Sequence, residues 1–154
     1  MTDFGRILAD LNAVGLRYVV IGGIALVRHG VVRATRDVDV MADPTDATMV
    51  ALRRLVDEWS ATRPDGTPVG DRDLVAGRAA HLSSTHGQLD VLPPPRSVTF
   101  EDLAARAEQR LVDGTVAPIC SLADLVSLKR IAGRPRDIAD LADLEVAHGE
   151  LPGD

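Results

Sequence analysis

Apolar residues along the chain switch between a helical and a strand period. Phe4, Ile7, Leu8 and Leu11 recur at helical spacing behind Thr2 or Asp3 as a cap, and Gly15 closes that first helix. Residues 17–21 are β-rich and almost wholly apolar, as in a strand covered on both faces. Residues 24–29 suit a short helix closed by Gly30. The period then becomes two: Asp, Val, Asp, Val, Met over 37–41 gives a strand with one carboxylate face and one apolar face. Asp43 or Thr45 caps a helix running through Trp59, with Met49, Leu52, Leu55 and Val56 inward.

The stretch 63–77, rich in Pro, Gly and Asp, reads as irregular, with room for a short strand and a mobile loop. Residues 79–84 and 88–92 read as two strands joined by a turn at His86 and Gly87, and Pro93 to Pro95 stops the second. A helix from Thr99 to about Glu108 and a strand pair around Leu111 and Val116, turning at Asp113 and Gly114, follow. Ser121 with Asp124 resembles a capping box opening a helix through Ala132; Gly133 and Pro135 separate it from a last helix with Ile138, Leu141 and Leu144 on one side. The expected fold class is α/β (α+β), a small mixed β-sheet flanked by helices with a short C-terminal helical pair. The chain reads as a single domain over 1–154, its core at 1–118 and its C-terminal helices at 121–148.

Composition narrows the class. The chain has 154 residues, 45% apolar and 26% charged, which suits one globular domain with its own core. No apolar run approaches the roughly 20 residues that span a bilayer, and Asp3 and Asp10 stand where a secretory signal wants positive charge, so no membrane partner and a cytoplasmic location are expected. The one cysteine, Cys120, excludes an internal disulfide and reads as buried and inert. A net charge of −6 argues against a broad basic face for nucleic acid while leaving room for a local cationic pocket. Phe4, Tyr18, Trp59 and Phe100 are too few for a base-stacking platform, so an RNA substrate would be gripped at one end.

The chemistry concentrates in residues 19–40. Gly22 and Gly23, between a strand and a helix, let backbone amides approach a phosphate, although glycine pairs are common in ordinary turns. Asp37 and Asp39 lie two apart on one strand and point to one face, where hard divalent cations bind through oxygen. Asp-x-Asp alone is ordinarily a solvated strand edge; here Val38 and Val40 make the opposite face apolar, which marks an internal strand whose carboxylates line a cleft. Asp90, alone in the apolar run Gln88 to Leu92, supplies a third carboxylate, unless that strand is an edge exposing it to water. Three acids on neighbouring strands can hold two Mg²⁺ ions about 4 Å apart, as in-line nucleotidyl transfer requires.

The pattern Gly22-Gly23, Arg33-x-Thr35-x-Asp37-Val38-Asp39, then Asp90, resembles the nucleotidyltransferase superfamily that includes DNA polymerase β and small antibiotic nucleotidyltransferases. More narrowly it resembles the AbiEii-type nucleotidyltransferases of bacterial toxin systems. The run Ser121 to Arg130 with Lys129, followed by Arg134-Pro135-Arg136-Asp137 and Asp140-Leu141, is similar to that family's Lys-bearing helix and its Asp-x-x-Asp-Leu element. The resemblance implies a minimal nucleotidyltransferase fold. It implies Asp37, Asp39 and Asp90 as metal ligands, Asp90 also as general base, and Lys129 on nucleotide phosphates, with Thr35, Arg33 and Arg36 orienting phosphates or the first acid. The bland readings are a solvated helix lysine and a polar loop. Asp137 and Asp140, one helical turn apart, anchor Lys129, Arg134 or Arg136, or else Asp137 meets the helix dipole. His29 reads as a helix-end histidine bonded to backbone, and His81, His86 and His148 show no metal-ligand spacing.

The implied reaction moves NMP from an NTP to a hydroxyl with Mg²⁺, for which Mn²⁺ can substitute. The expected setting is a toxin-like enzyme acting on RNA, such as a tRNA 3′ end, with an antitoxin partner. The rivals are an aminoglycoside-like or other small-molecule nucleotidyltransferase and a catalytically idle nucleotide-binding module. Longer members carry an extended helical region after the core, and this chain ends soon after its second C-terminal helix; that implies a small acceptor, a supplied partner chain or a homodimer.

Overall fold

The computed structural model describes residues 1–153. Helix α1 (Phe4–Ala13) starts at Asp3, whose side chain accepts from the Arg6 backbone N–H, and buries Ile7, Leu8 and Leu11. It is followed by β1 (Tyr18–Ile21), α2 (Gly22–Arg28), β2 (Asp37–Ala42) and α3 (Asp46–Trp59). Thr45 caps α3, and Leu52, Leu55 and Val56 face inward as the periodicity predicts, Met49 is partly buried against them, and Trp59 is buried as well. The strands β3 (Ala80–Ser84) and β4 (Gly87–Leu92) form a hairpin, α4 (Phe100–Arg106) follows, and a second hairpin joins β5 (Glu108–Val112) to β6 (Thr115–Ile119). Two helices, α5 (Leu122–Ala132) and α6 (Pro135–His148), close the described chain and pack on each other.

The strands make one six-stranded mixed sheet in the order β3-β4-β2-β1-β6-β5. β2 runs antiparallel to β1 and parallel to β4, and β1 runs parallel to β6. This is the expected small mixed sheet flanked by helices, and β4 is internal, so Asp90 does not sit on an edge. Val38, Val40 and Leu89 are fully buried on the face away from the acids. Each such side chain stabilises the fold by roughly 1.5–3 kcal/mol, which holds β2 and β4 in the one register that keeps them inside. Irregular backbone covers most of 63–77, relieved by bridges from Thr62 to Pro68 and Ser83 and a 3₁₀ turn at Asp71–Asp73.

Four local differences from the periodic reading have physical causes. The glycine pair is not a turn ahead of α2 but its first two residues, Gly22 adopting φ +68° to bend the chain straight out of β1. Helix α4 ends at Arg106, two residues short, because Glu108 is already paired with Ile119. Ser121 caps α5 by accepting from the Asp124 N–H, but the Asp124 carboxylate does not reach back; the Arg106 guanidinium binds it through both oxygens at 2.9–3.2 Å. Helix α6 is rotated from the expected face: Asp137, Asp140 and Leu144 point inward, while Ile138 is 62% exposed. Cations waiting beneath α6 make the two acids the better inward face.

Candidate active site

Pairing places four side chains in a row across the sheet. Ile21 of β1 lies opposite Asp39 of β2, Asp39 opposite Asp90 of β4, and Asp90 opposite His81 of β3. Paired residues share a face, so Asp39 and Asp90 stand side by side, with Asp37 two residues along β2 on the same side and opposite Gln88. The row opens into a cavity of about 650 Å³. Every residue singled out from the sequence lines it: Gly22, Gly23, Arg33, Thr35, Arg36, Asp37, Asp39, Asp90 and Lys129.

The glycines are there for space as well as for conformation. A Cβ on Gly22 would come within 2.8 Å of the Asp39 Cβ, and one on Gly23 within 3.0 Å of the Thr35 Cβ. Their bare backbones let Asp39 and the loop before β2 close against the start of α2.

Burial pushes the Asp39 carboxyl up to about 6, helped by the charge of Asp90, a hydrogen bond shared with it, and the charge of Asp37. Burial and then Asp90 also hold Asp37 above its ordinary value. Asp90 is gripped from two sides: Nδ1 of His81 donates to its Oδ1 at 2.6 Å, and Nε2 of Gln88 donates to the same oxygen at 3.1 Å. The bond from His81 is made by the tautomer that carries its proton on Nδ1.

Among the described residues, no three acidic, histidine or cysteine side chains already converge as a metal-coordinating group. The donor chemistry nonetheless fits a hard divalent cation. Three carboxylates share one face, and burial, with the charge of Asp90 added, raises Asp37 and Asp39, a cost that such an ion relieves.

Across the cavity, α5 and α6 carry a charge cluster built on two buried acids. Lys129 donates to Asp140 at 2.7 Å and Asp137 at 3.3 Å, Arg33 to Asp140 at 2.7 Å, and Arg134 to Asp137 at 2.7 Å. Asp137 and Asp140 are only 1% and 2% exposed. Burial works to raise Asp137, and the hydrogen bonds from Arg134 and Lys129 outweigh it, holding it at about 2. These acids therefore act as anchors for Lys129 and Arg134, as the sequence suggested, and Arg33 joins them from the loop before β2. His29 meets the backbone at the Cys120 carbonyl, 2.7 Å away, as expected, and Cys120 is fully buried, its thiol pushed up to about 12 chiefly by burial.

Two cavity residues escaped the sequence reading in their present role, His81 and Arg136. The hairpin turn lies at 85–86 and Gly87 already pairs with Ser84, so Asp90 faces His81. A turn placed one residue later would have set Asp90 opposite Ser83.

No protein-family model and no curated protein sequence matches the chain. Solved structures do. The lincosamide antibiotic adenylyltransferase LnuA, bound to lincomycin, superposes with a TM-score of 0.62 at 17% identity, over 91% of this chain and 92% of that one. The fold is that of the nucleotidyltransferases. An antigenic nucleotidyltransferase-like protein from Paracoccidioides brasiliensis gives a TM-score of 0.64 at 16% identity, covering 97% of this chain and 75% of that one. ANT(2″)-Ia in complex with adenylyl-2″-tobramycin gives 0.54 at 14% identity, covering 92% and 84%. No helix among the described residues is long and apolar enough to cross a membrane.

Proposed function

We propose that the protein transfers a nucleoside monophosphate from an NTP to a hydroxyl group and releases pyrophosphate. The observation that carries this reading is the in-register pair Asp39 and Asp90, with Asp37 on the same face, in a cavity that also holds the Gly22–Gly23 backbone and several arginines. Asp37, Asp39 and Asp90 would hold Mg²⁺, two ions being the natural complement of three carboxylates, with Mn²⁺ as a substitute. When bound, the ions neutralise triphosphate oxygens and polarise the α-phosphorus.

The chain's own residues supply the rest. Gly22 and Gly23 leave the start of α2 open to phosphate, Thr35 is seated on Gly23, and arginines of the cavity lining face the triphosphate. Asp90 takes the proton of the acceptor hydroxyl as its oxygen bonds to the α-phosphorus and the bond from phosphorus to the pyrophosphate oxygen breaks. His81 and Gln88 hold Asp90 in place for that step.

The acceptor we favour is an RNA end such as a tRNA 3′ end, in a toxin-like role opposed by an antitoxin chain. The net charge of −6 disfavours a wide RNA footprint, so an RNA acceptor would be gripped at one end. A small-molecule acceptor is the second reading, favoured by the likeness to LnuA and ANT(2″)-Ia over most of their length. ATP is the first nucleotide to try, since the names of both refer to adenylyl groups.

The test is incubation with Mg²⁺, each labelled NTP in turn, and either total RNA or an aminoglycoside and lincosamide panel, beside an Asp37→Ala, Asp39→Ala control. Label in tRNA supports the toxin-like reading, and label in an antibiotic the second. Binding of NTP without transfer to any acceptor would sink both in favour of an idle module.

A further inference from the structure

We infer, resting on that reading, that the triphosphate is gripped by Arg36 and Arg136, and that Lys129 with Arg33 and Arg134 is a frame, tied to two buried acids, that presents them. The five cations lining the cavity divide into two classes. Lys129, Arg33 and Arg134 together engage every carboxylate oxygen of Asp137 and Asp140. Both acids are almost wholly buried, so drawing Lys129 onto a phosphate would leave Asp140 short of a partner in a dry site, a change that costs several kcal/mol.

Arg36 and Arg136 differ in having no acid partner among the described residues. Both are exposed, both line the cavity, and no hydrogen bond or ion pair from either side chain occurs among the described residues. Arg36 directly precedes Asp37, and Arg136 sits in the first turn of α6 beside the anchored Asp137. Burial is the main influence on Asp37 and Asp39 and raises both, but the charge of Arg36 also reaches Asp37 and that of Arg136 reaches Asp39. Forked guanidinium donors match phosphate oxygens in pairs. The frame explains why two unpaired arginines point into one cavity: Asp137 pins the turn carrying Arg136, and the Arg33–Asp140 bridge pins the loop carrying Arg36.

The test is equilibrium binding of a non-hydrolysable ATP analogue with Mg²⁺ to the full chain, with a melting curve for each variant. Arg36→Ala and Arg136→Ala are expected to weaken binding by roughly 10- to 100-fold each, the worth of a charge-assisted contact, with melting close to wild type. Lys129→Met is expected to lower the melting temperature and, measured well below it, to change affinity by less than about threefold, too little for a lost charged contact. Should Lys129→Met not fold, the two arginine variants decide alone. Arginine variants that bind like wild type would overturn the inference while leaving the transfer reading intact. A wild-type protein that binds no NTP, ATP included, overturns both.

Discussion

Asp39 of β2 and Asp90 of β4 stand opposite each other in parallel register, two carboxylates side by side on internal strands of one sheet. The arrangement has a measurable cost. The folded state raises Asp39 from 3.8 to about 6, so it holds that proton more tightly than the unfolded chain does. Stability therefore falls as pH rises through the window between those values, and the full cost is present above about 6.

Asp39→Asn removes that cost while keeping the shape. The variant should be more stable than wild type at pH 8 by about 1–2 kcal/mol in urea unfolding and equal to it near pH 4, while nucleotidyl transfer disappears. Millimolar Mg²⁺ should raise the melting temperature of wild type at pH 8 and leave the variant where it was. Equal stability at pH 8 would show that burial and repulsion do not act on Asp39 as described.

Gly22→Ala tests the closeness of the helix start to the acids. The position combines φ +68° with a Cβ that would crowd the Asp39 side chain, so both strain and displacement follow. Loss of about 1–3 kcal/mol and a large fall in kcat are expected together. Gly66→Ala, with positive φ but open space around it, should lose stability without losing activity.

The buried cluster predicts an acid limit. Asp137 is held near 2, below its ordinary 3.8, so its contribution is complete above pH 4 and is lost as pH falls toward 2. Asp140→Ala leaves Lys129 and Arg33 without their shared acceptor and should cost about 3–5 kcal/mol at pH 7 by urea unfolding. A loss under 1 kcal/mol would mean that water, not Asp140, solvates Lys129.

Much of this was legible in the chain. Alternation of Asp and Val over 37–40 announced a strand with one wet face, and the glycines marked the bend, because period and backbone freedom are local properties. The rotation of α6 was not legible: Ile138, Leu141 and Leu144 form a good apolar stripe, and only the tertiary arrival of Lys129 and Arg33 makes Asp137 and Asp140 the inward residues. The same holds for Arg106, which takes Asp124 away from a capping box that sequence spacing alone suggests. Pairing across a hairpin is equally unforgiving, since a turn misplaced by one residue hid the contact between His81 and Asp90.

That contact yields the last prediction. His81 is half exposed and contributes nothing to the core, yet its Nδ1 lies 2.6 Å from an oxygen of Asp90. If its work is to aim that carboxylate, His81→Ala should lower kcat by roughly 10- to 100-fold with little change in KM for NTP or in melting temperature, the usual toll of removing a group that orients a metal ligand. His81→Asn sets an amide donor near the position of Nδ1 and should recover most of the loss, and direct Mn²⁺ titration should show weaker metal binding in the alanine variant alone. Activity unchanged in His81→Ala would assign the orientation of Asp90 to Gln88, whose amide reaches the same oxygen.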